Sequence, residues 1–222
     1  MKAAPFTYLR PDSLDAAIAA VAGAEGFAKF VAGGQTLGPM MNLRLAQPDV
    51  LVDISRLEEL REAREEGGRV VFGGGVTHAA IEDGRVPDPS RGLMRRAAST
   101  LAYRSVRNRG TLGGSLAHAD PSAEWPCVLS ALDTEIGVAG PSGRRTLPLG
   151  ELLVGPMTTS LGDDEIIERV SVAMLPEDTR WGYHKICRKA GEFANAMAVV
   201  VLTGGGARAV LGALPRSPLV LD

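Results

Sequence analysis

Two glycine pairs eighty residues apart constrain this chain more than any other feature. In "FVAGGQTLG", Gly33-Gly34 follow the apolar run Phe30-Val31-Ala32 and precede Thr36. In "RNRGTLGGSLAHADPSAEWP", Gly113-Gly114 lie between Thr111 and Ser115. Glycine accepts positive φ and lets a ligand approach the backbone closely. Successive amides in such a turn form an anion-binding concavity. A neighbouring hydroxyl adds a donor, and a bond to a charged group is worth about 1.5–3 kcal/mol. A third cluster, Gly73–Gly75 at the end of "RVVFGGG", reads more simply as a tight turn. The spacing is not G-x-G-x-x-G, which disfavours a Rossmann nicotinamide site, and there is no P-loop. Two phosphate-holding turns on separate segments suit a dinucleotide lying across a cleft between two lobes.

The surrounding pattern supplies those lobes. After a short extended piece, Ser13 caps a helix whose apolar face is Leu14, Ala17, Ile18 and Val21, with Gly23 at its end. "AKFVAGG" reads as a buried strand running into a turn, followed by an irregular piece and a strand at Val50–Ile54. The first fifty-odd residues thus form a small α/β lobe. Arg61 to Glu66 reads as a charged, solvated connection. "RVVFGGG" is a strand, Thr77 caps a short helix at His78–Asp83, and Leu93, Met94, Ala97 and Leu101 share one helical face. After the second glycine pair come a helix, a strand, a turn at Pro141–Gly143 and a further strand; "DEIIERVSVAML" adds another. The last portion reads as two or three strands turning at Gly204–Gly206, and "LPRSPLVLD" shows no clear element.

Composition removes several function classes. A net charge of -2 argues against a nucleic-acid partner held by counterion release. At 5% aromatics, base-stacking platforms are not expected. Cys127 and Cys187 form neither a C-x-x-C pair nor a disulfide framework, so no metal site and two reduced thiols are expected. No apolar run reaches the roughly 18 residues of a membrane span. The start "MKAAPFTYLRPDS" lacks a secretory core, so a cytoplasmic location is expected. No Ser-His-Asp, Cys-His or paired-carboxylate arrangement stands out, and no catalytic residue is assigned.

"VAGGQTLGPMMNLRL", "VRNRGTLGGSLAHADPSAEWP" and the later "GYHKICRKAGEFANAMAVV" together resemble the FAD-binding medium subunit of the molybdenum hydroxylases, as in carbon-monoxide and xanthine dehydrogenases. The likeness runs from Phe6 to about Val201. It implies an α+β, two-lobed FAD-binding fold of the vanillyl-alcohol oxidase and p-cresol methylhydroxylase type. The implied division is a small lobe at 1–56, a large lobe at 57–176 and a partial C-terminal α+β domain at 177–222. Family members continue beyond the point matching Asp222 with more helix and sheet, so this last domain is expected to be incomplete.

The resemblance also implies a role. The flavin would take electrons from a [2Fe–2S] small subunit, fed by a molybdopterin large subunit, and pass them to NAD or another acceptor. It carries Phe30, Val31, Ala32, Gly33, Gly34, Gln35, Thr36 and Leu37 over as the first FAD loop. Thr111, Leu112, Gly113, Gly114 and Ser115 form the second, with Ser115 where many members have Asn. Glu124 matches an acid reaching the adenosine part, and Ile167 a backbone contact to the adenine. Lys185 matches a basic residue near the flavin ring or its chain, with Tyr183 close by. Asn195-Ala196-Met197 departs from the usual apolar, Val-Gly pattern. Two alternatives stand beside this reading. One is a flavin-free, truncated assembly or interaction module of the same complex. The other is the flavin component of a benzoyl-CoA-type reductase, for whose cluster insertion there are no cysteines.

Other residues have competing readings. His118 reads as a turn residue or a flavin neighbour, His78 as a helix-start residue and His184 as a surface one. Asp120 reads equally as a helix cap and a ligand contact. Arg104, Arg107 and Arg109 either offset phosphate charge, face a partner or form a solvated basic patch.

Overall fold

The computed structural model describes residues 2–222. Three larger sheets follow one another along the described residues, and a two-stranded ribbon lies within the second segment. The first segment runs β1 (Thr7–Leu9), α1 (Leu14–Ala22), β2 (Ala28–Val31), α2 (Leu37–Asn42) and β3 (Val50–Asp53). Its strands lie parallel in the order β1-β3-β2, with Phe30 opposite Val52 and Val31 opposite Asp53. Ser13 Oγ accepts from Ala16 N and starts α1, whose Leu14, Ala17, Ile18 and Val21 are all buried against Val52 and Ile54. This small core extends into the next lobe through Ala139 and Ile166.

The second segment contains β4 (Ala63–Glu66), β5 (Arg69–Gly73), α3 (His78–Glu82), α4 (Leu93–Thr100), α5 (Arg104–Arg107), α6 (Leu112–His118) and α7 (Glu124–Ser130). It continues with β6 (Thr134–Gly140), β7 (Gly143–Pro148), α8 (Leu149–Leu152), β8 (Leu153–Gly155), β9 (Thr158–Thr159) and β10 (Ile166–Ala173). Five of these strands form an antiparallel sheet ordered β4-β5-β10-β6-β7, so the last strand made is the central one. Val170 faces both Phe72 and Ile136 across its two neighbours. The main core joins these strands to Leu93, Met94, Leu112, Leu116, Trp125 and Leu129 of the helices.

The third segment is an antiparallel meander of β11 (Arg180–Ile186), β12 (Ala196–Thr203), β13 (Gly206–Gly212) and β14 (Leu219–Leu221). Met197, Val199, Val201 and Val210 point inward and share the main core. Among the described residues no sheet closes into a barrel, and no helix is long and apolar enough to cross a membrane.

Four sequence expectations are corrected. The piece after Gly34 is not irregular but contains α2, because Pro39 falls in the first helical turn, where its missing N–H costs nothing. The charged stretch is solvated yet forms edge strand β4, with Ala63 opposite Phe72. The second glycine pair is not a turn after a strand but the start of α6. "LPRSPLVLD" ends in β14, paired through Val220 with Val210.

Candidate functional site

The first loop leaves the sheet at the carboxyl end of β2, where Phe30 and Val31 are the last strand residues. Among the described residues, the backbone N–H groups of Gly33, Gly34, Gln35 and Thr36 donate to no protein acceptor. Three of their carbonyls, those of Gly33, Gly34 and Thr36, are engaged instead. Gln35 Nε2 donates to Gly33 O at 3.0 Å, Gly38 N to Gly34 O at 3.0 Å and Met40 N to Thr36 O at 3.1 Å. Gly34 has φ +67°, a left-handed conformation costly for a side chain, and this turns the amide row outward. Thr36 holds the cap position of α2 but makes no cap bond with its exposed side chain; Leu37 opens the helix. Four unpartnered amides beside a free hydroxyl are a set of donors of the kind an anion can accept from.

The second loop is built the opposite way. Leu112 N donates to Val76 O, Gly113 N to Gly74 O and Ser115 N to Thr111 O, all at 2.9–3.0 Å. Thr111 Oγ1 caps α6 by accepting from Gly114 N at 3.1 Å. A Cβ on Gly113 would stand 2.7 Å from Gly74 O, so this helix start sits directly on the turn behind it. A Cβ on Gly74 would in turn overlap the carbonyl of buried Ile167, and Gly74 N donates to Glu168 O. Gly73–Gly75 is therefore more than a turn: it is the seat of the second loop. The triple glycine was the available signal for it. With its amides from Leu112 to Ser115 closed, the second loop offers the half-buried Ser115 hydroxyl and an exposed, side-chain-free surface at Gly114.

The two loops touch. A Cβ on Gly33 would overlap the Arg109 carbonyl oxygen and stand 2.9 Å from Gly110 Cα. Phe30 to Leu37, Thr111 to Ser115 and, through Gly74, Ile167 thus converge on one region. Glu124 and Lys185 meet elsewhere. They form a buried ion pair of 2.6 Å, their side chains 5% and 4% exposed, and Lys185 Nζ also donates to Thr100 O. Tyr183 OH lies 3.0 Å from Thr100 Oγ1, and burial holds its phenol well above the ordinary range. A cleft of about 660 Å³ opens beside this pair, lined by Arg96, Thr100, Tyr103, Arg107, Tyr183 and Lys185 among others. The Glu124–Lys185 pair was not visible in the sequence, where its members lie 61 residues apart.

The remaining candidates resolve as follows. His78 opens α3 but is buried, and Trp125 Nε1 donates to its Nδ1 at 3.0 Å. Burial first, and then the Arg107 charge, lower its pKa to about 3, so the ring is neutral. His184 is exposed. Asp120 does not cap α7; its Oδ1 accepts from Ser122 N and closes the turn before the helix. Arg104 and Arg107 pair with Glu82 and Asp83, so they are not a free basic patch. The Arg107 bond holds the Glu82 carboxyl below its usual range.

Residues 4–174 match the family described as the FAD binding domain in molybdopterin dehydrogenase. The chain is 40% identical over 208 residues to the nicotine 6-hydroxylase medium subunit of Paenarthrobacter nicotinovorans, covering 94% of this chain and 72% of that protein. It is 37% identical to the carbon monoxide dehydrogenase medium chain of Hydrogenophaga pseudoflava, covering 90% and 70%. A solved structure of carbon monoxide dehydrogenase from that organism superposes with a TM-score of 0.91 at 35% identity, covering 99% of this chain and 78% of that one. Quinoline 2-oxidoreductase from Pseudomonas putida 86 superposes with a TM-score of 0.90 at 32% identity, over 99% of this chain and 78% of that one.

Proposed function

Since this chain belongs to the family of FAD-binding domains of molybdopterin dehydrogenases, and is thereby an FAD-binding oxidoreductase subunit, we propose that it carries electrons within a three-subunit complex. In this reading a [2Fe–2S] small subunit, itself supplied by a molybdopterin large subunit, reduces the flavin, and NAD or another acceptor reoxidises it. The bound flavin supplies the redox chemistry. The chain supplies its grip and its surroundings.

The observation that carries the reading is the row of four unpartnered amides from Gly33 to Thr36, pressed against the second loop. Such a row suits one side of a pyrophosphate, with the Thr36 and Ser115 hydroxyls adding donors. The second loop holds position through its closed amides and admits the ligand at Gly114. Phe30, Val31, Ala32, Gln35 and Leu37 frame the first loop; Thr111 and Gly113 frame the second. Ile167 lies behind the seat of the second loop, which agrees with an adenine-side contact. Because Glu124 and Lys185 are paired, we assign both to the same part of the cofactor rather than to its two ends. Glu124 holds Lys185 rigid, and Lys185 lines the wall of the 660 Å³ cleft, which has room for a ring. The three sheets support a division at 1–56, 57–176 and 177–222. A cytoplasmic location agrees with two unbonded cysteines.

The test is the visible absorption spectrum of the purified chain before and after adding FAD. A flavin band that survives desalting supports the reading. A colourless chain in both samples refutes it.

A further inference from the structure

We infer that Arg109 is a guanidinium clamp for the phosphates held by the first loop, an inference that rests on the flavin reading above. Three arginines stand close together at 104, 107 and 109, and only one has its charge available. Arg104 is spent on Asp83 and Glu82 through NH1 and NH2 at 2.6–2.8 Å, and its Nε donates to Asn108 Oδ1. Arg107 is spent on Glu82 through Nε and NH2, and its NH1 donates to the Leu101 and Ala102 carbonyls. Arg109 is exposed and, among the described residues, meets no carboxylate within salt-bridge distance. Among the described residues, its side chain makes one hydrogen bond, from Nε to Gly33 O at 3.4 Å.

That bond places the guanidinium on the residue where the row of free amides begins. NH1 and NH2 have no acceptor among the described residues. Neutral amides alone leave the two negative charges of a dinucleotide pyrophosphate without a counter-charge from the chain. A guanidinium presents a planar fork of donors that matches phosphate oxygens. Arg109 therefore joins the loops twice: its carbonyl abuts Gly33, and its side chain spans to the Gly33 carbonyl. The glycine signature drew attention to the backbone, and the cation that completes the site stands two residues before Thr111.

The test is titration of the flavin-free chain with FAD and with riboflavin, which lacks phosphates, followed by flavin fluorescence at low and moderate salt. Arg109→Gln is expected to weaken FAD by about 10- to 100-fold, the range of a lost charge-assisted contact. Riboflavin binding stays within about twofold of wild type, and the salt dependence of FAD binding becomes shallower because one ionic contact is gone. Arg109→Lys recovers most of the affinity through its charge. Arg180→Gln, on an exposed strand position of the third sheet, controls for net charge and leaves FAD binding unchanged. FAD affinity within about twofold of wild type in Arg109→Gln, or an equal loss for riboflavin and FAD, overturns the clamp and leaves the flavin reading standing. A wild-type chain that binds no FAD overturns both.

Discussion

Replacing Gly33 by alanine tests the central packing relation of the site. The new Cβ would stand 2.5 Å from the Arg109 carbonyl carbon and closer still to its oxygen. Non-bonded carbons rest near 3.5–4.0 Å, so the two loops must part by about 1 Å. Neither side yields easily, because both neighbours are backbone and Gly110 is pinned by His78 N donating to its carbonyl. Overpacking of this kind costs about 1–3 kcal/mol. For a chain of 222 residues that lowers the flavin-free melting temperature by about 2–12 °C. Binding suffers too: where the flavin-free loops part to relieve the overlap, drawing them together again on the ligand costs up to the same 1–3 kcal/mol, about 5- to 150-fold in FAD affinity. Calorimetry on the flavin-free chain and an FAD titration read the two effects separately. Gly38→Ala, five residues on, is the control: nothing lies within 4 Å of its Cβ, and in α2 the change favours the helix by about 0.5–1 kcal/mol. If Gly33→Ala melts within a degree of wild type and binds FAD within about threefold, the loops are not packed through Gly33 and the reasoning fails.

Other consequences are as direct. Thr111→Val removes the cap oxygen from Gly114 N at nearly constant volume and should cost about 0.5–2 kcal/mol, seen as a lower urea midpoint at unchanged slope. Burial pushes the Cys127 thiol up to about 12, whereas Cys187 is partly exposed; a thiol reagent at pH 8 should label one cysteine in the native chain and two in denaturant. His78 titrates near 3 in the folded chain and at its ordinary 6.5 when unfolded. Between those values the unfolded state binds the extra proton, so stability falls as pH drops, by up to about 1.4 kcal/mol per unit. His78→Phe should flatten that slope between pH 6 and 4, and an unchanged slope would assign it to other groups.

Much of the fold was legible because its cues are local. The four apolar positions of α1 and its Ser13 cap lie within nine residues of one another, and every one behaves as the 3.6-residue period requires. The turn at Gly204–Gly206 joins two antiparallel strands that pair without a register shift from Thr203 opposite Gly206 to Met197 opposite Gly212. Where the reading failed, tertiary structure overrode local preference. Glycine opposes a helix, yet α6 carries two in its first turn: a Cβ on Gly113 would press on Gly74, and one on Gly114 on the capping hydroxyl of Thr111. β4 shows no apolar alternation because, apart from Ala63, its side chains are exposed. The site divides along the same line. The loops announced themselves through glycine and hydroxyl residues, but nothing local announces that Lys185 turns to Glu124, or that Arg104 and Arg107 are neutralised by Glu82 and Asp83 while Arg109 is not.

The chain of supports behind the second loop also sets a timetable. Gly113 rests on Gly74, and Gly74 is held by the carbonyls of Ile167 and Glu168 in the central strand of the five-stranded sheet. Chains emerge from the ribosome amino end first, at about 5–20 residues per second. The amide row at Gly33–Thr36 is thus delivered long before anything can close over it, and the opposing wall stays unsupported until β10 has been made. On the proposed assignment of the two loops, flavin capture from both sides becomes available only once about three quarters of this sequence has been synthesised, and a nascent chain stalled before that point would hold half a binding site open to water.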